Sequence, residues 1–216
     1  FIPVGGTLGE IAAVNCSPVK KALEGLELTI MCDIDNPLFG ETGAAYVFAP
    51  QKGADASMVE RLDSGLRHLA KVTAQCLGRD FSQLPGAGAA GGLGFGTAAY
   101  CGGKLRMGID VVLDTAGFDG LLQTADLVFT GEGKIDSQSI RGKVVSGVAE
   151  RGKKAGVPVI AVVGQIGPGF EPMYEKGLGA VFSINRAAEL FSESRHHAAE
   201  NLSLAMENIA RLLALF

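Results

Sequence analysis

The sequence predicts an α/β protein, and three observations carry that reading. Continuous apolar runs at 125–131 (ADLVFTG), 157–164 (VPVIAVVG) and 179–184 (GAVFSI) alternate with segments of helical periodicity, the pattern of parallel strands buried on both faces. The chain has 216 residues, 47% of them hydrophobic and 19% charged, a composition that supports a core and excludes intrinsic disorder. A chain of this length buries enough surface to need no disulfide or metal staple. Glycine is abundant: its 31 residues are about twice the usual ~7% share and follow no three-residue period, so they mark tight loops or close backbone approach.

In chain order, 26–32 (LELTIMC) reads as a buried strand, apolar and partly β-branched. Residues 33–50 read as a long loop with turn signals at Asn36-Pro37 and Gly40. Loops of this length in compact domains usually carry function. A helix is expected over about 55–77, with Asp55 as its N-cap, Gly78 as its stop, and Met58, Leu62, Leu66, Leu69, Val72 and Cys76 as its buried stripe. The glycine-rich stretch 85–103 (PGAGAAGGLGFGTAAYCGG) follows, and 109–113 reads as a short strand. Between the three apolar runs, helices are expected from about Arg141 to Lys154 and from about Phe170 to Lys176. An amphipathic helix over about 193–215 closes the chain, burying Leu202, Met206, Ile209, Leu212 and Leu213. Composition changes near 115–122, so two domains are expected, 1–120 and 121–216.

The net charge is −4 and no basic stripe is present, which argues against nucleic acid as a partner. Trp is absent and aromatics are 6%, so base-stacking platforms are not expected. The uncharged stretch 81–103 is broken by glycines, Pro85 and Gln83, and no membrane partner is expected. Cys16, Cys32, Cys76 and Cys101 are dispersed, as free thiols in a reducing cytoplasm would be. Cys32, inside an apolar strand, reads as an inert core thiol. His68, His196 and His197 fall on predicted helices with no apparent partner.

Three segments could carry chemistry. Gly86-x-Gly88-x-x-Gly91-Gly92-x-Gly94-x-Gly96 contains G-x-G-x-x-G, whose bare amides could approach phosphate. The alternative is a glycine/alanine-rich helix packed tightly against another backbone, because no strand precedes it and the P-loop lysine is absent. Thr130-Gly-Glu-Gly-Lys-Ile-Asp-Ser-Gln-Ser139 follows a strand, at the edge where open α/β sheets bind ligands. Glu132 or Asp136 there could hold Mg²⁺ or accept a proton, or Asp136 could merely cap the next helix. Residues 164–167 and 183–186 also end parallel strands and should lie beside this segment. Asp33-x-Asp35-Asn36-Pro37 suits metal ligation, a general base, or an Asx turn. Gln51-Lys52-Gly53 could present a cation to phosphate, or could simply start a solvated helix.

Taken together, CDIDNPLFGETGAAYVFAPQKGA, PGAGAAGGLGFG and TGEGKIDSQSIRGKVVSGVA resemble the type-one glycerate kinases. The pattern D-x-x-N-P-L-x-G-x-x-G-A stands here as Asp33, Asn36, Pro37, Leu38, Gly40, Gly43 and Ala44. The resemblance implies ATP-dependent phosphoryl transfer to a hydroxyl of glycerate with Mg²⁺, in a cytoplasmic enzyme. It also implies two α/β lobes, one inserted and one Rossmann-like with a parallel sheet. The chain resembles the C-terminal portion of such enzymes, which would leave the Rossmann-like lobe incomplete without an N-terminal segment, another polypeptide or a second copy in a homo-oligomer. It further implies Asp33, Asp136 and Glu132 as catalytic carboxylates, Asp33 and Asp136 as metal ligands, and Asn36 and Gln138 as substrate contacts. Phosphate contacts fall to Lys52, Gly88, Gly91, Gly92, Gly94, Gly131 and Gly133. The segments around Asp33, Gly88–Gly96 and Glu132–Asp136 are expected to share a cleft. A non-catalytic small-molecule-binding α/β domain is the alternative.

Overall fold

A computed structural model describes residues 2–140 and 142–216. The chain forms two compact units, Phe1–Val111 and Val112–Phe216. The sequence places the division after residue 120, where composition changes; the chain instead passes between units within a helix.

In the first unit, α1 (Ser17–Ala22) precedes β1 (Thr29–Cys32), which pairs in parallel with β2 (Lys104–Met107) from Thr29↔Lys104 to Cys32↔Met107. The strand is shorter than the run 26–32. The predicted loop 33–50 contains a short helix, α2 (Ala44–Phe48), whose Ala44 and Ala45 are buried in the core. The predicted long helix is α3 (Ala56–Leu77): the Asp55 carboxylate accepts the Met58 amide at 2.8 Å, and Gly78 stops the helix at φ 70°. Of the predicted stripe, Leu66 and Val72 are buried and Leu62 and Leu69 half-buried, but Met58 and Cys76 are exposed, and the buried face shifts to take in Val59, Asp63, Ala70 and Thr73. The small residue Gly65 lets Leu8 approach closely, and Asp63 enters the core because its carboxylate is fully partnered.

Beyond the glycine-rich turn lies α4 (Leu93–Cys101), whose Phe95 and Ala99 join Leu38, Ala44, Val59, Leu66, Ala70 and Ala87 in the core. Residues 109–113, expected as a strand, lie within helix α5 (Gly108–Thr115). The β-branched run suggested a strand, but Leu113 is buried while Val112 is exposed, and Asp110 sits in the first turn where the helix dipole favours a carboxylate. The strand of this region is β2, just upstream.

The second unit continues through α6 (Phe118–Leu122) to a three-stranded sheet. Its strands β3 (Val128–Thr130), β5 (Val159–Val163) and β7 (Leu178–Ser183) pair in parallel in the order β3-β5-β7. β3 and β5 lie inside their apolar runs, and β7 overlaps the run 179–184 but starts one residue earlier, at Leu178. Central β5 is the most buried, with Val159, Ala161 and Val163 essentially inaccessible. Two short strands, β4 (Lys134–Ile135) and β6 (Gln165–Ile166), form a second parallel pair. Helix α7 (Val144–Ala155) packs Val145, Val148, Ala149 and Gly152 inward. The predicted start at Arg141 lies outside the described residues. Arg151 of α7 holds Asp114 at 2.6 Å and Asp119 at 3.0 Å, tying this helix to the segment before the sheet. The segment about 170–176 holds only α8 (Pro172–Glu175), which buries Met173.

The final helix differs from expectation. It is broken into α9 (Phe191–Ser194), a 3-10 turn at Arg195–His197, and α10 (Ala198–Leu213), because His197 leaves helical geometry at φ −105°, ψ 7°. Of its predicted stripe, Ile209 is buried while Leu202, Leu212 and Leu213 are exposed. Among the described residues no helix is long and apolar enough to cross a membrane.

Candidate functional site

In the second unit, the segment 130–139 turns sharply after β3. Any side chain on Gly131 would collide with the Val162 carbonyl, so the turn can pass this close to β5 only as glycine. The Gly164 amide donates to the Glu132 carbonyl at 3.1 Å, and β4 then pairs with β6. Ile184 donates its amide to the Val163 carbonyl at 2.9 Å, and the Ser183 hydroxyl donates to the Gly164 carbonyl at 3.4 Å. The ends of β3, β5 and β7 are therefore neighbours, as the sequence expects. A cavity of about 420 Å³ opens at this edge, lined by Gly133, Lys134, Gly164, Asn185, Phe191 and Arg195 among others.

Two side-chain pairs, Lys134 with Asp136 and Ser139 with Glu132, are joined here through the Asp136 backbone amide. The Asp136 carboxylate takes Lys134 Nζ at 3.0 Å on one oxygen and the Gln138 amide at 2.9 Å on the other. The lysine hydrogen bond, then the amide, hold its pKa below the ordinary aspartate value. Asp136 is thus a poor proton acceptor and a persistent anion. Ser139, fully buried, donates its hydroxyl proton to Glu132 Oε1 and accepts the Asp136 amide at 3.2 Å. Gln138 is exposed, and open space surrounds Gly133.

In the first unit, Asp33 follows β1 directly and is exposed. One carboxylate oxygen stands 2.7 Å from where a Cβ on Gly108 would sit, so glycine at the head of α5 makes room for it. Asn36 ties two loops together: its side-chain amide donates to the Thr42 carbonyl at 2.7 Å, and its own carbonyl accepts the Gly88 amide at 2.9 Å. Gly88 and Gly94 are buried, and a side chain on either would strike the backbone, at Pro37 and Gly86 respectively. Both close-packing glycines therefore follow the tight-packing alternative at the level of their missing side chains. Gly91, at φ 72°, faces open space, Gly92 packs on Leu38, and Ala90 between turns holds a left-handed φ of 50°. Such strain in a non-glycine residue is common where loops do work. Lys52 ends the turn Pro50–Lys52 and lines, with Gly91, a cavity of about 170 Å³.

Two organising residues are given no role of their own by the sequence reading. Asp63, 4% exposed, accepts the Gly40 amide at 2.7 Å and Arg67 Nε at 2.7 Å, anchoring the loop that carries Asn36. The Arg67 guanidinium also lies 4.5 Å over the Phe39 ring. Ser139 is the other; its position three residues after Asp136 was the available signal. His68 is explained structurally, since Nε2 lies 2.8 Å from the Ile11 carbonyl. The buried Cys32 thiol has its pKa raised by burial and by neighbouring Asp33, which suits an inert core thiol. Among the described residues no group of three or more His, Cys, Asp and Glu side chains is arranged to hold a metal ion. Mg²⁺ commonly takes one or two carboxylates and completes its shell with water and phosphate oxygens, and Asp136 and Glu132 are the two carboxylates that the turn 130–139 offers.

The molecule is therefore of the α/β class with parallel strands whose ends gather carboxylates, a lysine and glycine turns, at the edge where open α/β sheets bind ligands. The family model described as the Glycerate kinase family matches residues 1–214, and the chain belongs to that family. It is 45% identical to a glycerate kinase of Bacillus cereus over 208 residues, covering 96% of this chain and 55% of that protein. It is 38% identical to the glycerate 2-kinase of Escherichia coli over 211 residues, covering 98% and 55%. Among solved structures, the crystal structure of a protein assigned as glycerate kinase 2 from Salmonella typhimurium LT2 superposes with a TM-score of 0.78. That protein is 40% identical, and the match covers 98% of this chain and 55% of the other. The chain thus spans about half the length of the curated relatives it matches.

Proposed function

We propose that this chain supplies its share of a cytoplasmic, ATP-dependent glycerate kinase. The observation that supports this most strongly is the family match over nearly the whole chain, with the acidic turn 130–139 built at the ends of parallel strands. The four cysteines are free, in keeping with a reducing compartment.

Phosphoryl transfer asks the protein mainly for position and charge. In this reading Asp136, kept anionic by Lys134 and Gln138, is a metal-holding carboxylate rather than a base. Glu132 is a second carboxylate of the same turn. Bound Mg²⁺ would neutralise charge on the ATP phosphates. Asp33, exposed at the end of β1, is the candidate for metal contact or for accepting the glycerate hydroxyl proton. Lys52 and the exposed Gly91 edge are the candidate phosphate contacts in the first unit, with Gly92 shaping that edge; the backbone of Gly88 and Gly94 holds the loop in place. Gly131 and Gly133 let the acidic turn approach a phosphate, and Asn36 and Gln138 are candidate substrate contacts.

The test is a coupled ADP-release assay on the full-length gene product that contains these residues. Release that depends on both glycerate and Mg²⁺ supports the reading. A folded protein that binds ATP without glycerate-dependent turnover favours the non-catalytic alternative and overturns it.

A further inference from the structure

We propose that Ser139 is a positioning residue that fixes the Glu132 carboxylate for phosphoryl transfer, an inference resting on the kinase reading above. Three observations meet at this side chain. Its hydroxyl is fully buried, so no water competes for its single proton. That proton goes to Glu132 Oε1. A lone pair on Ser139 Oγ accepts the Asp136 amide at 3.2 Å, while the Ser139 amide closes the turn on the Asp136 carbonyl at 2.9 Å. The hydroxyl is therefore not free to rotate: the Asp136 amide occupies the acceptor side and orients the proton toward Glu132.

The consequence is geometric. Glu132 has a flexible side chain only partly shielded from solvent, and among the described residues Ser139 is its side-chain hydrogen-bond partner. Without that bond, the carboxylate is free to leave the place it holds on the acidic turn. Outer partners that orient a reacting or metal-binding group typically matter 10–100-fold for activity when removed.

The experiment is a double-substitution cycle in the full-length gene product, with melting temperature as the folding control. Ser139→Ala is expected to lower kcat about 10–100-fold while leaving KM for glycerate little changed. On a Glu132→Ala background, Ser139→Ala should cause no further loss, because the carboxylate it positions is gone. Ser139→Thr, which keeps the hydroxyl, should recover most of kcat. Should Ser139→Ala not fold, Ser139→Cys takes its place in the cycle. A crystal structure of the alanine (or cysteine) variant supplies a readout independent of turnover: the Glu132 carboxylate should occupy more than one conformer. Equal losses on both backgrounds, or a Glu132 that keeps its single native conformer, overturns the proposal. A native protein that fails to phosphorylate glycerate overturns the kinase reading instead, and the crystal structure then decides the role of Ser139 alone.

Discussion

Asp136 shows how one residue's partners set its chemistry. Its carboxylate is stabilised as an anion by the Lys134 ammonium first and the Gln138 amide second. Replacing Lys134 with Met should raise the Asp136 titration midpoint toward the ordinary aspartate value, measurable by carboxyl-carbon NMR. The sign follows because removing a cation disfavours the charged form. An unmoved midpoint would show that the ion pair is not what holds the group. Asp136→Asn in the full-length gene product should cost ~10²-fold or more in kcat, the usual scale for losing a preorganised charge, with folding retained. Native-like turnover would reduce Asp136 to a turn-former. The sequence marked Asp136 and Glu132 because charged residues between glycines after an apolar run are a local signal. The roles of Ser139 and Asp63 are not legible for the opposite reason: each matters through a partner that only the folded chain brings near, Glu132 in one case and the Gly40 amide in the other.

At the scale of the element, legibility followed whether the determinants were local. Helix α3 was readable end to end because its cap, Asp55, and its stop, Gly78, are written into the chain. Its buried face was misread by about one position, since burial of Asp63 depends on Arg67 and Gly40 together. Helix α5 was read as a strand because Ile109, Val111 and Val112 favour extended backbone, and tertiary packing of Leu113 overrode them. Two predictions belong here. Asp55 has its pKa lowered by the Met58 amide and then by Ser57. Its stabilising contribution is therefore complete above the ordinary aspartate range and is lost as pH falls through the lowered folded value. Asp55→Ala should lower the melting temperature by a few degrees near neutral pH, and the gap from native should close on acidification; a gap independent of pH would rule out the charged cap. In the glycine-rich turn, Gly88→Ala should prevent native folding, because its side chain would enter the Pro37 carbonyl. Gly91→Ala meets open space and pays only the left-handed backbone cost, about 1 kcal/mol, so it should fold and report on phosphate contact through KM for ATP. A Gly88 variant with native stability would show that the turn can relax.

For the molecule as a whole, the parallel sheet of the second unit was legible because an all-apolar strand such as β5 is a strong sequence signal. Strand order was not, since it depends on which runs meet in space. That order leaves β3 and β7 as the edges of the β3-β5-β7 sheet, with Phe129 of β3 exposed. In the first unit β1 and β2 form a sheet of two strands, and Met31 of β1 is exposed. Two-stranded sheets are marginal by themselves, and apolar edges invite pairing. The chain also spans only 55% of the Bacillus cereus relative. Phosphoryl transfer needs nucleotide, metal and acceptor held together, and a misplacement of about 1 Å can cost ~10²-fold. The 216-residue chain by itself is therefore expected to show no glycerate-dependent ADP release and to self-associate on size-exclusion chromatography at micromolar concentration. Adding, as a separate polypeptide, the remaining part that relatives of full length possess should disperse the associated species and bring turnover. Robust turnover by a monomer of the chain alone would show that its own two units already hold everything the reaction requires.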